Sequence, residues 1–189
     1  MNSLFQKNLA EQILLLQVLD QLDYAVGKAA SLAYYSLQSG GKLMLCGNGG
    51  SAADCQHLAA ELTGRFIKDR RPLAAIALST DSSAITCISN DYSFNEVFAR
   101  QVRALGRTGD VLLAISTSGN SQNVIRAVEE ARAASMSVIG LLGREGGALK
   151  ELCDVAIVVP SQVTARIQES HILIGHTLCG MIEQELGLA

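Results

Sequence analysis

Apolar residues at Phe5, Leu9, Ile13 and Leu16 recur at helical spacing, and Leu14, Leu15, Val18 and Leu19 widen the stripe almost all round. A helix so apolar has to be covered, and near the chain's first residues the expected cover is another subunit. A second helix is predicted from about Asp23 to Gln38, stopping at Gly40-Gly41, a glycine stop signal. Beyond it the pattern changes. Short, continuously apolar runs appear at Lys42–Cys46, Ala74–Leu78, Val111–Ile115, Val138–Leu142 and Val155–Val159. Segments of helical period lie between most of them, such as Ala52–Thr63 and Asn123–Ala134. Apolar strands alternating with helices describe a parallel sheet covered on both faces. A long final helix is predicted from about Thr164 to Leu186, with Ile167, Ile174, Leu178, Met181 and Ile182 on its main stripe. The expected architecture is one α/β sandwich preceded by two helices.

Composition narrows the function classes. The 189 residues are 49% hydrophobic and 17% charged, ample for a core and incompatible with a disordered chain. The net charge of −3, four Tyr, four Phe and no Trp argue against nucleic acid as a ligand. No apolar run approaches the ~20 residues that span a bilayer. The segment from Met1 to Lys7 lacks a basic stretch followed by an apolar one, so no secretory signal is expected. The five cysteines, Cys46, Cys55, Cys87, Cys153 and Cys179, include no C-x-x-C pair and are expected as buried free thiols. A cytoplasmic protein without membrane contact follows.

In such a sheet, ligands bind beyond the carboxyl ends of the strands, where helix N-termini present backbone amides. Two loops there could carry chemistry. Gly47-Asn48-Gly49-Gly50-Ser51 is neither a Walker loop nor a dinucleotide fingerprint, since Ala52 takes the third glycine's place. It offers close backbone approach and a hydroxyl, or simply a tight turn needing positive φ. Ser116-Thr117-Ser118-Gly119-Asn120-Ser121 places four hydroxyls at a helix start, a pattern suited to phosphate; N-capping alone would need one. Neither loop holds a Lys, which favours a sugar phosphate over nucleotide hydrolysis.

Metal candidates are few, because the chain has three histidines. His57 and Glu61 are i, i+4, about 40° apart on one helix face; both could reach one ion or simply pair with each other. On the last helix His176 points away from the apolar stripe, whereas His171 lies near it and is expected as a hydrogen-bonded core residue. Gln168 falls nearer the side of His176.

Taken together, these motifs resemble the sugar isomerase (SIS) domain family. The resemblance spans essentially the whole chain. It rests on Cys46-Gly47-Asn48-Gly49-Gly50-Ser51-Ala52-Ala53-Asp54, on His57-x-x-x-Glu61-Leu62-Thr63-Gly64-Arg65, and on Asn90-Asp91. It rests also on Ser116 through Ser121 and on Ala165-Arg166-Ile167-Gln168-Glu169 followed by His176. It implies a flavodoxin-like three-layer α/β/α sandwich with a five-stranded parallel sheet, residues 1–189 forming a single SIS domain. Residues 1–40 would serve oligomerisation, as a homotetramer. It implies one Zn²⁺ per subunit on His57, Glu61, Gln168 and His176. The substrate would be held by Asn48, Gly49, Gly50, Ser51, Glu61, Arg65, Asn90, Asp91, Ser116, Thr117, Ser118, Ser121 and Gln168. Glu61 would be the catalytic base and His176 the acid in an aldose–ketose isomerisation through an enediol. The implied reaction converts sedoheptulose 7-phosphate to D-glycero-D-manno-heptose 7-phosphate, toward ADP-heptose and the lipopolysaccharide core. Ala165 stands where some members carry Asp, so no proton-transfer role is expected there.

Gln168 and His176 stand eight residues apart, roughly 12 Å in height and about 80° in direction on an ideal helix. Either Gln168 sits in an irregular first turn or the ligands of one ion come from different chains; the spacing favours sharing, and Arg65 would likewise reach a neighbour's phosphate. Two other readings compete: a non-catalytic SIS protein that binds the replication initiator, and an isomerase of another phosphosugar. The first lacks the acid–base pair that Glu61 and His176 provide.

Overall fold

The computed structural model describes residues 3–188; Met1 and Asn2 of the N-terminal segment and Ala189 of the 1–189 domain lie outside them. Helices α1 (Leu4–Leu16) and α2 (Asp23–Gln38) precede a sheet of β1 (Leu43–Gly47), β2 (Ala75–Ala77), β3 (Val111–Ser116), β4 (Ser137–Gly143) and β5 (Val155–Val159). Helices α3 (Gly50–Thr63), α4 (Ser82–Asp91), α5 (Ala99–Leu105) and α6 (Gln122–Ala133) lie between strands, and α7 (Thr164–Glu185) closes the chain. Every strand pairing is parallel, in the order β2-β1-β3-β4-β5. This is the expected three-layer sandwich.

Both faces of the central strands β1, β3 and β4 are buried, which is why they read as unbroken apolar runs, whereas edge strand β2 leaves Ile76 exposed. Leu43, Leu45, Val111, Leu113, Ile115, Ile139 and Leu141 point to one core with α2, α3 and α7. The alternate residues Met44, Cys46, Leu112, Ala114, Val138 and Leu142 point to the other, with α5 and α6. The chain leaves β1 toward β2 on one side and returns to β3 on the other, so the order reverses between β1 and β3. That crevice is where a sheet of this kind takes ligands.

The first helix ends at Leu16, and Leu19–Leu22 form a short 3-10 turn, so Val18 and Leu19 do not continue its stripe. Of its apolar residues only Leu15 is buried; Phe5 is 74% exposed and Leu14 65%. Its wide apolar surface is thus uncovered within one chain. All five cysteines are free, but Cys87 is exposed, against expectation, because it faces outward on α4 near its last turn.

His171 is the core histidine its position suggests. It is fully buried on α7, its Nε2–H donating to the Leu142 carbonyl at 3.0 Å, which ties α7 to the end of β4. Burial disfavours its charged form and pulls its pKa down to about 4. The unfolded chain, with an ordinary histidine near 6.5, therefore binds more protons between those values, and the fold loses stability as pH falls from about 6.5 toward 4. The loss from this residue should approach ~3 kcal/mol at the acid end. Urea unfolding across that window checks this: a His171→Gln variant should show a visibly flatter acid limb than the parent chain.

Candidate functional site

The loops after β1 and β3 lie side by side at the reversal point. Gly49, at φ +57°, makes the turn into α3 that a side chain would strain, and its surroundings are open for a ligand. The turn and ligand readings of this loop are therefore compatible. Ser51 is buried, whereas Asn48 is partly so. The Asn48 amide exchanges two hydrogen bonds of 2.8 Å with the amide of buried Asn123 in the first turn of α6. That amide pair fixes one loop against the other.

In the second loop Ser121 occupies the N-cap of α6 but makes no side-chain cap. Its hydroxyl instead meets the Ser116 hydroxyl at 3.0 Å, while Ser116 also accepts from the Gly119 N–H. Ser118 accepts from the Asn120 N–H, and Thr117 is half-buried beside it. Ordinary capping thus does not explain the serines. Gly119 passes so close to the Gly146 and Gly147 backbone that no Cβ would fit. The α6 dipole and these hydroxyls together suit a phosphate.

Behind the loops α3 and α7 converge. A Cβ on Gly175 would lie 2.7 Å from the methyls of Leu58, so only glycine lets the two helices lie this close. One residue further along α7, His176 Nε2 stands 2.8 Å from His57 Nε2, with the rings edge to face. The Glu61 carboxylate lies 3.4 Å from the same His57 nitrogen, and one donor atom from each of the three falls within 4.8 Å of the others. Two facing ring nitrogens need either a proton between them or a cation that both can ligate. Two imidazoles and a carboxylate are a donor set that Zn²⁺ accepts. Asp54, assigned no role from the sequence, lies on the same helix; burial pushes its carboxyl pKa up, opposed by His57 and His176, and its Oδ2 has no hydrogen-bond partner.

The remaining candidates fall into two groups. Gln168 lies beside the glycine loop: its amide packs against Gly50 at the start of α3. Because α7 is an unbroken helix, the irregular first turn considered for Gln168 is absent. His57, Glu61 and His176 meet within one chain, so that group needs no sharing between subunits, contrary to the preference drawn from spacing alone. Sequence spacing could not show this, because it was the approach of a second helix that decided it. Arg65 is exposed just past α3, and among the described residues no hydrogen bond joins it to the other candidates. Asn90 and Asp91 are exposed at the end of α4. The Asn90 amide donates to Asp91 at 2.8 Å and the Cys87 thiol lies 3.4 Å from its other oxygen, holding that carboxyl below its usual range.

Comparison with known proteins agrees with this geometry. Residues 8–143 match the SIS domain family. The chain is 58% identical over 168 residues to the phosphoheptose isomerase of Nitratiruptor sp., covering 89% of this chain and 90% of that one. The solved phosphoheptose isomerase of Neisseria gonorrhoeae is 50% identical, with a TM-score of 0.90 over 94% of this chain and 96% of its own. That of Francisella tularensis is 42% identical, with a TM-score of 0.92 over 97% and 100%.

The close helix contact makes a direct prediction. Gly175→Ala should push α7 away from Leu58, costing about 1–3 kcal/mol by overpacking. Urea unfolding should read that loss, and the same Gly175→Ala change made in a Leu58→Ala background, where the new methyl has space, should cost less than it does in the parent chain.

Proposed function

The chain belongs to the SIS domain family, within its phosphoheptose isomerases, and we propose that this sugar-phosphate isomerase interconverts sedoheptulose 7-phosphate and D-glycero-D-manno-heptose 7-phosphate. The observation that carries the reading is the meeting of His57, Glu61 and His176 behind two loops built for an anion. A purely binding relative would have no use for an acid–base pair at that place.

Moving a carbonyl between C1 and C2 requires removal of a carbon-bound proton and protonation of the carbonyl oxygen, then return of a proton to the neighbouring carbon and removal of the proton from the other hydroxyl. Glu61 is the base that takes and returns the carbon-bound proton. His176 is the acid at the oxygen and takes the proton back from the other hydroxyl, its mobile proton being carried on the ring nitrogen that does not face the ion. His57, Glu61 and His176 would hold the Zn²⁺, with Gln168 assigned to the same site as a further oxygen donor to the ion or to the sugar. When bound, the ion supplies Lewis-acid polarisation of the carbonyl. Glu61 would be a weaker base while it held the ion, and its full basicity would belong to the carboxylate freed from it.

Ser116, Thr117, Ser118 and Ser121, with the α6 amides, hold the distant phosphate, while Asn48, Gly49, Gly50, Ser51, Asn90 and Asp91 hold the sugar. Binding energy at the phosphate then helps place C1 and C2 at the acid–base pair. Arg65 reaches the phosphate of a neighbouring subunit. The exposed apolar surface of α1 is the contact of a homotetramer: light scattering should give about four times the chain mass. No helix of the described residues is long and apolar enough to cross a membrane. A cytoplasmic role in supplying heptose for lipopolysaccharide is part of the same proposal.

Isomerisation of sedoheptulose 7-phosphate by zinc-replete protein is the test. Turnover should stop with a chelator and return with zinc. Glu61→Gln should lower kcat by at least ~100-fold with substrate binding still detectable. Ser118→Ala or Ser121→Ala should mainly raise KM. Absence of turnover in zinc-replete protein would overturn the reaction, and near-normal kcat in Glu61→Gln would assign the base elsewhere.

A further inference from the structure

One buried ion pair lies just beyond the acid–base residues and belongs to neither substrate loop. Arg70 and Glu183, with side chains 2% and 1% exposed, are joined through Arg70 Nε and Glu183 Oε1 at 2.7 Å. The rest of the guanidinium closes the end of α3. Its two terminal nitrogens donate to the carbonyls of Glu61 at 2.7 Å, Leu62 at 2.8 Å and Gly64 at 2.9 Å. Those carbonyls end a helix and have no intrahelical partner of their own. On the other side, Glu183 Oε1 also accepts the Phe66 N–H at 3.3 Å. The Phe66 ring lies against the His176 imidazole, 27° between planes and 5.6 Å between centroids, with Gly180 beneath its edge.

A buried ion pair is a costly way to gain stability, because desolvating both charges offsets most of their attraction. This one connects the two helices that carry the acid–base residues. It grips the Glu61 backbone with one end and, through Phe66, lays a flat wall against His176 with the other. His176 is half-exposed, and its ring is otherwise met edge-on by His57. We propose that Arg70, Glu183 and Phe66 are positioning residues for the isomerase centre: the ion pair fixes Phe66, and Phe66 fixes the plane of the His176 ring so that its Nε2 faces His57. This rests on the reading of the site given above. Phe66 and Glu183 reach no donor atom of the His57–Glu61–His176 group themselves; they act through His176.

Phe66→Leu keeps an apolar side chain in place and removes the flat ring, whereas Phe66→Tyr keeps the ring. Three quantities separate positioning from mere structure: zinc affinity, by competition with a chromophoric chelator; the split between kcat and KM; and the unfolding temperature of the metal-free protein. Phe66→Leu should weaken zinc binding by about 10-fold or more, as loss of a residue that orients a metal ligand does. It should lower kcat with KM changed less than about two-fold, and Phe66→Tyr should restore both values. Arg70→Lys, which cannot reach all the carbonyls, should move in the same direction as Phe66→Leu. A Phe66→Leu protein with lowered unfolding temperature but parental zinc affinity and kcat would overturn the proposal. A parent chain that isomerises without binding zinc would overturn the metal reading instead, and the kcat effect of Phe66→Leu would still decide the positioning role.

Discussion

The chemistry of this protein depends on how closely α7 lies against α3. The contact is made by a residue with no side chain, Gly175, sitting on the methyls of Leu58. A single added carbon there would have to displace the leucine or the helix, and packed interiors yield poorly to either. Because the axes are close, the next residue of α7 brings its imidazole to the imidazole of His57, one turn before Glu61. Three donor atoms with affinity for protons and cations are then crowded together at the edge of the core. The fold supplies this proximity from ordinary packing.

The sheet supplies the second half of the site. Its strand order reverses between β1 and β3, so the loops after these strands diverge to opposite faces and leave a crevice. The Asn48–Asn123 amide pair spans that crevice and satisfies four polar groups at once. It is rigid because either amide, rotated, would lose both bonds. Ser121 bonds Ser116 rather than capping its own helix, so the first amides of α6 have no side-chain cap. The glycine and serine loops and the His57–Glu61–His176 group are thus held by different forces on elements that meet at this end of the sheet.

Much of this was legible in the sequence, and the exceptions have physical reasons. The five apolar runs and the helical segments marked every strand within a residue or two, since burial on both faces leaves no other composition possible. The glycine and serine loops, His57 with Glu61, and the core place of His171 could be read from spacing. The family resemblance added Gln168, His176 and the roles. Spacing along one helix says nothing about a second helix, however, so the meeting of His57, Glu61 and His176 within one chain was not foreseen. The outward turn of Cys87 was likewise hidden by its apolar neighbours. Arg70, Phe66 and Glu183 gave no signal at all: a charged residue in a loop and one in a late helical turn read as solvated. Only the folded chain shows that Glu183 meets both Arg70 and the Phe66 backbone, and that the far side of the guanidinium takes up the orphan carbonyls of α3.

The central claim is that His57, Glu61 and His176 of one chain form a single cation site at the α3–α7 contact. Diffraction from crystals of active protein, collected on both sides of the zinc absorption edge, tests it most directly. One anomalous peak per chain is expected, within bonding distance, ~2 Å, of both histidine nitrogens and the Glu61 carboxylate. A fully active crystal with no peak there, or with a peak bridging His57 of one chain and His176 of another, would contradict it.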